Sequence, residues 1–322
     1  MVITRTPLRV SFVGGGTDLP EYYLNATSPG RVFSSTINKY VYIILNRKFD
    51  DKIRISYSQT ENVDCVDDIQ HDIVRNTMKK FNMTGGWEIV SVADIPGSGS
   101  GLGSSSAFTV GLIRAIMYEL LDMHLSPLDI AEMAFDIEHN MCGKYCGKQD
   151  QLAASFGGMR TYEFFDDGGV AVCTKLDTKT RKSIQESSIL FYLGEREDRT
   201  ILKRQTENTP EKMGILNSMA MLAKELKSEI VEYPCQVGQY LDINWEYKRQ
   251  LVDGISNDNI QGIYQRAMGA GANGGKVLGQ GGGGFMLFHA KPEIHQAVKD
   301  AVGLKSVPFR FTGKGTEVIY GA

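Results

Sequence analysis

The sequence predicts an α+β fold in two parts. A strand, a glycine-rich loop and a helix follow one another between Trp87 and Leu121. Strand patterns crowd the residues before that unit, so the chain does not begin as a run of βαβ repeats. After residue 161 strands return, then a long helical run, then a mixed strand–helix–strand end, which fits an α+β second part. A length of 322 residues accommodates two domains. The pattern changes near Leu176, which divides the chain into residues 1–176 and 177–322.

The elements follow in order. Residues 2–13 alternate as a strand, with Pro7 calling for an edge position or a bulge. It ends in Gly14-Gly15-Gly16-Thr17-Asp18, a sharp turn carrying one carboxylate. Asp18 is either a turn former or a group that accepts hydrogen bonds from sugar hydroxyls. Arg31–Ile37, Tyr40–Arg47 and Lys52–Tyr57 have strand patterns, and 67–81 a helical one. Trp87–Ala93 is a largely buried strand. Phe108, Leu112, Ile116 and Leu120, flanked by Ile113, Met117 and Leu121, give the next helix a broad apolar face. Ser126-Pro127-Leu128-Asp129 opens another helix. Glu138 lies beside its apolar stripe, and Asp150 stands at the start of a short helix over 149–156. Taken alone, Glu138 is a surface acid and Asp150 a helix cap. Strands are expected at 161–165, 170–176 and 189–193, and helices over roughly 196–271. The end is expected as strands at 276–278 and 285–289, a helix after Pro292, and strands at 307–311 and 316–320.

The loop between strand and central helix reads Pro96-Gly97-Ser98-Gly99-Ser100-Gly101-Leu102-Gly103-Ser104-Ser105-Ser106. Glycine lets backbone N–H groups approach a ligand closely. The following helix aims its free N–H groups and about half a positive charge at the loop. Together they form an anion site suited to a polyphosphate. One serine is placed to cap the helix and another to reach a metal ion. The loop matches neither GxGxxG nor the Walker A pattern; Gly279, Gly281 and Gly284 match GxGxxG but lead into a strand, without the Rossmann context.

Bulk properties narrow the field. Hydrophobic residues make up 42% and charged residues 23%, with a net charge of −3. With a pI near 6.0, nothing favours nucleic acid or an anionic membrane as partner. No apolar run approaches the ~20 residues of a spanning helix. Five scattered cysteines read as reduced thiols of a cytoplasmic protein. Cys142 and Cys146 lack the second pair that a zinc site needs.

Three motifs in order resemble the GHMP kinase superfamily across nearly the whole chain. They are Pro7-Leu8-Arg9-Val10 with Gly14–Asp18, the central loop from Gly101 to Ala107, and Lys276–Gly284. Within the superfamily the sequence is similar to the D-glycero-D-manno-heptose 7-phosphate kinases. Gly14–Pro20 with Tyr22 and Tyr23, Ile37–Val41 and Cys146–Gln151 carry that likeness. Galactokinases carry Glu-His before Thr-Asp, which this chain lacks.

The resemblance implies an N-terminal nucleotide-binding α+β domain with a left-handed crossover and a ferredoxin-like C-terminal domain, with the site between them. It implies ATP and Mg²⁺, the sugar phosphate as small-molecule partner, Asp150 as catalytic base, and Glu138 with Ser105 on the metal. Arg9 would orient the reacting hydroxyl, and Asp18, with Gly15, Gly16, Thr17, Lys148, Gly281 and Gly282, would meet the substrate. An arginine close to Asp150 favours its charged form and weakens it as a base, so Asp150 is expected mainly to position the hydroxyl. Lys144, Lys148, Arg31, Lys39 and Lys175 are candidates for a sugar 7-phosphate. The Gly279–Gly284 loop is expected to support the phosphate loop, and Tyr57–Val63 to rim the base. The sequence leaves the oligomeric state open.

Overall fold

Strand β1 (Val2–Val13) begins the chain and is followed by a short helix, α1 (Pro20–Tyr23), and by β2 (Gly30–Arg47). The computed structural model describes residues 1–322 except 97–98, 122–124, 174–175, 197, 199, 208 and 322, and the side chain of Leu121. Two strands were expected between 31 and 47, but β2 is one strand of 18 residues. The irregularity lies in its register: Pro7 faces Tyr40 while Leu8 faces Ile37. A proline has no N–H for the ladder, so Asn38 and Lys39 bulge out opposite it. Asn38 instead exchanges hydrogen bonds with Arg310.

The hairpin β3 (Ile53–Ser56) and β4 (Thr60–Val63) comes next, then α2 (Asp72–Lys80) and β5 (Trp87–Ala93). β3 and β5 are parallel, joined through β4 and α2. Helix α2 starts five residues later than its apolar pattern suggests. Glu61 holds the backbone N–H groups of Gln70 and His71. The His71 ring then caps the helix by accepting from Val74 N.

The central helix α3 (Ser104–Leu121) buries Leu112, Ile113, Ile116 and Met117 against the sheet. α4 (Pro127–Phe135) opens with the expected capping box on Ser126 and Asp129. It continues into a π-helical turn, Asp136–Met141. Such turns recur at functional sites because they re-aim one side chain. α5 (Gln149–Phe156), β6 (Met159–Phe164) and β7 (Val170–Val172) complete this half. β7 is shorter than the expected 170–176.

The second half opens with α6 (Thr178–Glu186), which the sequence pattern did not reveal. It buries only Thr180 and Ile184, too few for a periodic signal, and its start depends on the Asp177 cap. β8 (Ser188–Gly194) is followed by the helical run α7 (Ile201–Gln205), α8 (Pro210–Glu229), α9 (Val237–Arg249) and α10 (Asp258–Gly269). β9 (Gly274–Val277), β10 (Gly284–His289), α11 (His295–Val302) and β11 (Glu317–Gly321) end the chain. Residues 307–311 form no strand. Pro308 interrupts the donor row, and the segment makes single bridges, Ser306 to Phe191 and Phe311 to Ile37.

Among the described residues, one sheet holds eight strands in the order β11–β1–β2–β5–β3–β4, with β6 and β7 on the free stretch of β2. The second sheet runs β8–β10–β9. The last strand thus returns to pair with β1, across the division expected near Leu176. The two apolar cores also draw on both halves. Leu222 and Leu226 of α8 join the core under the large sheet. Tyr22, Val32 and Leu152 join Phe191, Trp245 and Phe288 in the other. This shared packing holds β1, the central loop, α5 and α9 around one cleft.

Candidate active site

The cleft measures about 1290 Å³. Its wall can be followed as a chain of contacts. At one end, Tyr57 meets the edge of His71, ring centroids 4.7 Å apart, and His71 stacks on Phe108 at 4.9 Å. Burial lowers the pKa of His71 and favours the neutral ring. Tyr57 and Ser58 line this end, whereas Thr60–Val63, expected at the rim, do not.

Phe108 lies one turn beyond the central loop. Gly99, Gly101 and Gly103 all have positive φ, which the loop requires. At Gly101 a Cβ would stand 2.4 Å from Leu278 O, and at Gly279 one would stand 2.6 Å from the Gly101 Cα. Phe285 N also donates to Ser100 O at 3.2 Å. The Gly279–Gly284 loop therefore packs directly behind the central loop, as expected. Pro96, Gly99, Ser100, Gly101, Gly103, Ser104, Ser105 and Ser106 line the cleft. Leu102 does not; its side chain is in the core and its carbonyl accepts from Arg9 N. Gly97 and Ser98 lie outside the described residues, as does Lys175.

Glu138, carried by the π-helical turn, is 1% exposed. Among the described residues four donors converge on it: Ser105 Oγ at 2.9 Å, Ser106 Oγ at 2.8 Å, Thr109 Oγ1 at 2.8 Å and Gln151 Nε2 at 2.6 Å. None of the four is charged. A buried carboxylate without a cation carries a large desolvation cost. Ser105 is exposed and Ser106 buried, so Ser105 is the accessible hydroxyl beside it. The described residues hold no group of three or more His, Cys, Asp or Glu that could bind a metal. One carboxylate and one hydroxyl suit Mg²⁺, which takes hard oxygens and keeps water and phosphate as its other ligands.

Asp150 has the opposite surroundings. Arg9 Nε donates to its Oδ1 and Nη2 to its Oδ2, both at 2.7 Å. Nη1 of the same arginine donates to Gly101 O at 2.6 Å. The fork ties the acid to the central loop, with planar two-point geometry. A Cβ at Gly103 would stand 3.2 Å from Asp150 Oδ2, so the loop passes directly over the carboxylate.

Asp18 completes this end. Its Oδ1 accepts from Gly16 N at 2.9 Å and from Gln149 Nε2 at 3.1 Å. Its pKa is raised, first by burial. Gly15 and Gly16 line the cleft beside it. Ser11 Oγ and Gln149 Oε1, also in the lining, are buried without a hydrogen-bond partner.

Other expected residues lie elsewhere. Thr17 is fully buried and its hydroxyl donates to Gly14 O and Arg31 O. Lys148 turns away from the cleft to Glu132 and Gly168 O. Gly281 and Gly282 face Arg196, Ile201 and Ile255 rather than the cleft. Arg31 and Lys39 are absent from the lining; Lys144 is in it, 3.3 Å from Asp72.

Sequence reasoning missed Lys248 and Arg196, which line the cleft, and Thr109 and Gln151, which bind Glu138. A lysine in a mixed helix is read as exposed by default, yet Lys248 is 3% exposed and donates to Gly279 O. Thr109 had a signal: it stands one helical turn after Ser105, on the same face.

Comparisons with known proteins give the family. The model of the GHMP kinases N terminal domain matches residues 69–158. The D-glycero-alpha-D-manno-heptose 7-phosphate kinase of Campylobacter jejuni is 31% identical over 98% of this chain and 97% of that protein. The mevalonate kinase of Pyrococcus abyssi is 27% identical over 79% of the chain and 75% of its own length. The crystal structure of a D-glycero-D-manno-heptose 1-phosphate kinase from Bacteroides thetaiotaomicron superposes with a TM-score of 0.80 at 24% identity, covering all of both chains. A putative sugar kinase from Campylobacter jejuni superposes at 0.77 with 28% identity over 98% and 97% of the two chains. No described helix is long and apolar enough to cross a membrane. The chain belongs to the GHMP kinases and is an ATP-dependent kinase, a phosphotransferase with an alcohol group as acceptor.

Proposed function

We propose that the chain transfers the γ-phosphoryl group of ATP to the anomeric C1 oxygen of D-glycero-D-manno-heptose 7-phosphate. The product is the 1,7-bisphosphate, an intermediate toward nucleotide-activated heptose. The observation that carries this reading is the Arg9–Asp150 fork, fixed to the phosphate loop through Gly101 O and adjoining Asp18 and Gln149. It joins a hydroxyl-orienting acid to a polyphosphate cradle. The unpartnered Ser11 Oγ and Gln149 Oε1 beside Asp18 suit a ligand with several hydroxyls. The heptose kinase relative supplies the sugar class.

Phosphoryl transfer passes through a loose transition state, so positioning and charge neutralisation dominate. The base end holds the adenine against Tyr57, His71 and Phe108. The loop N–H groups and the α3 N-terminus take the phosphates. Glu138 and Ser105 would hold Mg²⁺, whose charge offsets that of the phosphates. Asp18 and Gln149 fix the ring. Asp150 aims the C1 hydroxyl; as the new O–P bond forms and the bond to ADP breaks, the proton passes to Asp150. The Arg9 fork holds both Asp150 oxygens and makes that acceptance late.

Incubation with ATP and Mg²⁺ and each of heptose 7-phosphate, galactose and fucose, followed by phosphorus NMR, tests the reading. A C1-phosphate signal from the heptose phosphate is the expected result. Turnover only of an unphosphorylated sugar removes the heptose assignment, and turnover of none removes the sugar.

A further inference from the structure

Three consecutive carbonyls of the third glycine-rich motif each orient a side chain of the cleft wall. Gly279 O accepts from Lys248 Nζ, Gln280 O from Gln205 Nε2 at 3.0 Å, and Gly281 O from Arg196 Nε at 2.6 Å. All three side chains line the cleft, as does Lys203, whose Nζ has no described partner. The loop thus gathers side chains from α7, α9 and the segment after β8 along the cleft wall.

These donors are not spent. Arg196 Nη2 is buried without a hydrogen-bond partner. Among the described residues, no carboxylate forms an ion pair with Arg196, Lys203 or Lys248, in contrast to Arg9 with Asp150 and Lys144 with Asp72. Burial lowers Lys248 to about 8 and Arg196 to about 10, with Arg9 adding to both. Lys248 is buried and Arg196 half-buried, and crowding them is costly unless an anion joins them; Lys203, also in the lining, is exposed. The anion belongs at the sugar end: Asn244, one turn before Lys248 on α9, accepts from Gly14 N at 2.9 Å, next to Gly15, Gly16 and Asp18 in the lining.

We propose that Arg196, Lys203 and Lys248 form a second anion subsite that holds the acceptor's own phosphate group. The inference rests on the sugar phosphate reading above and assigns the residues that distinguish a phosphorylated from an unphosphorylated acceptor. It also gives the third motif a task beyond backing the central loop: its carbonyls hold two of the three subsite residues, Arg196 and Lys248.

The test uses the full chain with Arg196→Gln, Lys203→Gln and the double substitution, and Arg196→Lys as a conservative control. KM is measured for heptose 7-phosphate, for the same heptose without phosphate, and for ATP. The double variant is expected to raise KM for the sugar phosphate about 10–100-fold, the loss typical of charged hydrogen bonds. KM for ATP and kcat/KM for the unphosphorylated sugar are expected to stay within about threefold, and Arg196→Lys to recover part of the loss. Equal increases in the two KM values for sugar phosphate and ATP would move these cations to the nucleotide and overturn the proposal.

If the wild-type chain turns over no sugar phosphate, calorimetric titration of inorganic phosphate decides, with a non-hydrolysable ATP analogue and Mg²⁺ saturating the nucleotide site. Phosphate binding that the double substitution abolishes keeps the subsite and discards the sugar reading. Turnover of the sugar phosphate with an unchanged KM in the double variant discards the subsite and keeps the sugar reading. Phosphate binding that survives the double substitution also discards the subsite. Thermal melting of each variant separates these outcomes from unfolding.

Discussion

Glu138 and Asp150 are twelve residues apart and line the same cleft, yet their surroundings are opposites. Asp150 is clamped by a guanidinium fork on both oxygens. Glu138 is more deeply buried and receives only hydroxyls and an amide. A carboxylate already paired with a cation is fixed in place and gains little from a second one. A carboxylate surrounded by neutral donors has no cation beside it in a poorly solvating environment, and a mobile cation would offset that cost. On the proposed function, the contrast suits one acid to aiming the hydroxyl and the other to holding the metal.

The largest expected effect breaks the clamped side. Asp150→Asn keeps the size of the side chain but removes the charge that Arg9 holds and the site that accepts the proton. kcat is expected to fall about 10²–10⁴-fold, the range for loss of a general base. Nucleotide affinity, measured by fluorescence titration of an ATP analogue, is expected to change little. Lost nucleotide binding with kcat intact at saturation would place Asp150 in the wrong role.

The next effect concerns the uncompensated side. Glu138→Gln preserves the shape and removes the buried charge. The apo protein is expected to melt within a few degrees of the wild type, because the lost charge relieves its own desolvation cost. The rise in Tm on adding Mg²⁺ and nucleotide is expected to shrink, with metal–nucleotide affinity about 10–100-fold weaker. A variant that keeps the full ligand-induced rise would show that the cation is held elsewhere.

How much of this was legible in the sequence follows from the kind of signal each residue left. The strand–loop–helix unit was readable because glycine spacing and the α3 apolar stripe are local. Arg9, Glu138 and Asp150 were found through motif resemblance; their types and spacing alone equally fit a strand cation, a surface acid and a helix cap. The Lys248–Gly279 and Arg196–Gly281 contacts join residues 31 and 85 positions apart. No local pattern encodes such pairs. Lys148 misled for the same reason: its neighbours in the sequence flank the cleft, but Glu132, across a helix packing, turns its amine away. The helix α6 was missed because its stability comes from a cap and two buried residues rather than from periodicity.

The smallest expected effect extends the comparison to the cations. Lys248 ordinarily ionises at 10.5 and is brought to about 8, by burial first and then by Arg9 and Arg196, against the opposing pull of Asp18 and Asp150. Lys276 on β9 is affected in turn: burial first, then Lys248 and Arg9, hold its pKa well below the usual lysine value. The protonated form of Lys248 attracts an anion, so sugar phosphate affinity is expected to weaken as pH rises through 8, by about tenfold between pH 7 and 9 at most. The phosphate is already largely a dianion above pH 7 and does not mask the trend.

Instability does not account for the same slope. A lysine whose folded-state pKa is depressed leaves the unfolded chain holding more protons between about 8 and 10.5, so its contribution to stability rises with pH across that window. Lys248→Met is expected to start with weaker binding at pH 7 and to lose the slope, read from KM for the sugar phosphate at fixed saturating ATP. A Met variant with the wild-type slope would assign the titration to another group and leave Lys248 a support for Gly279 alone.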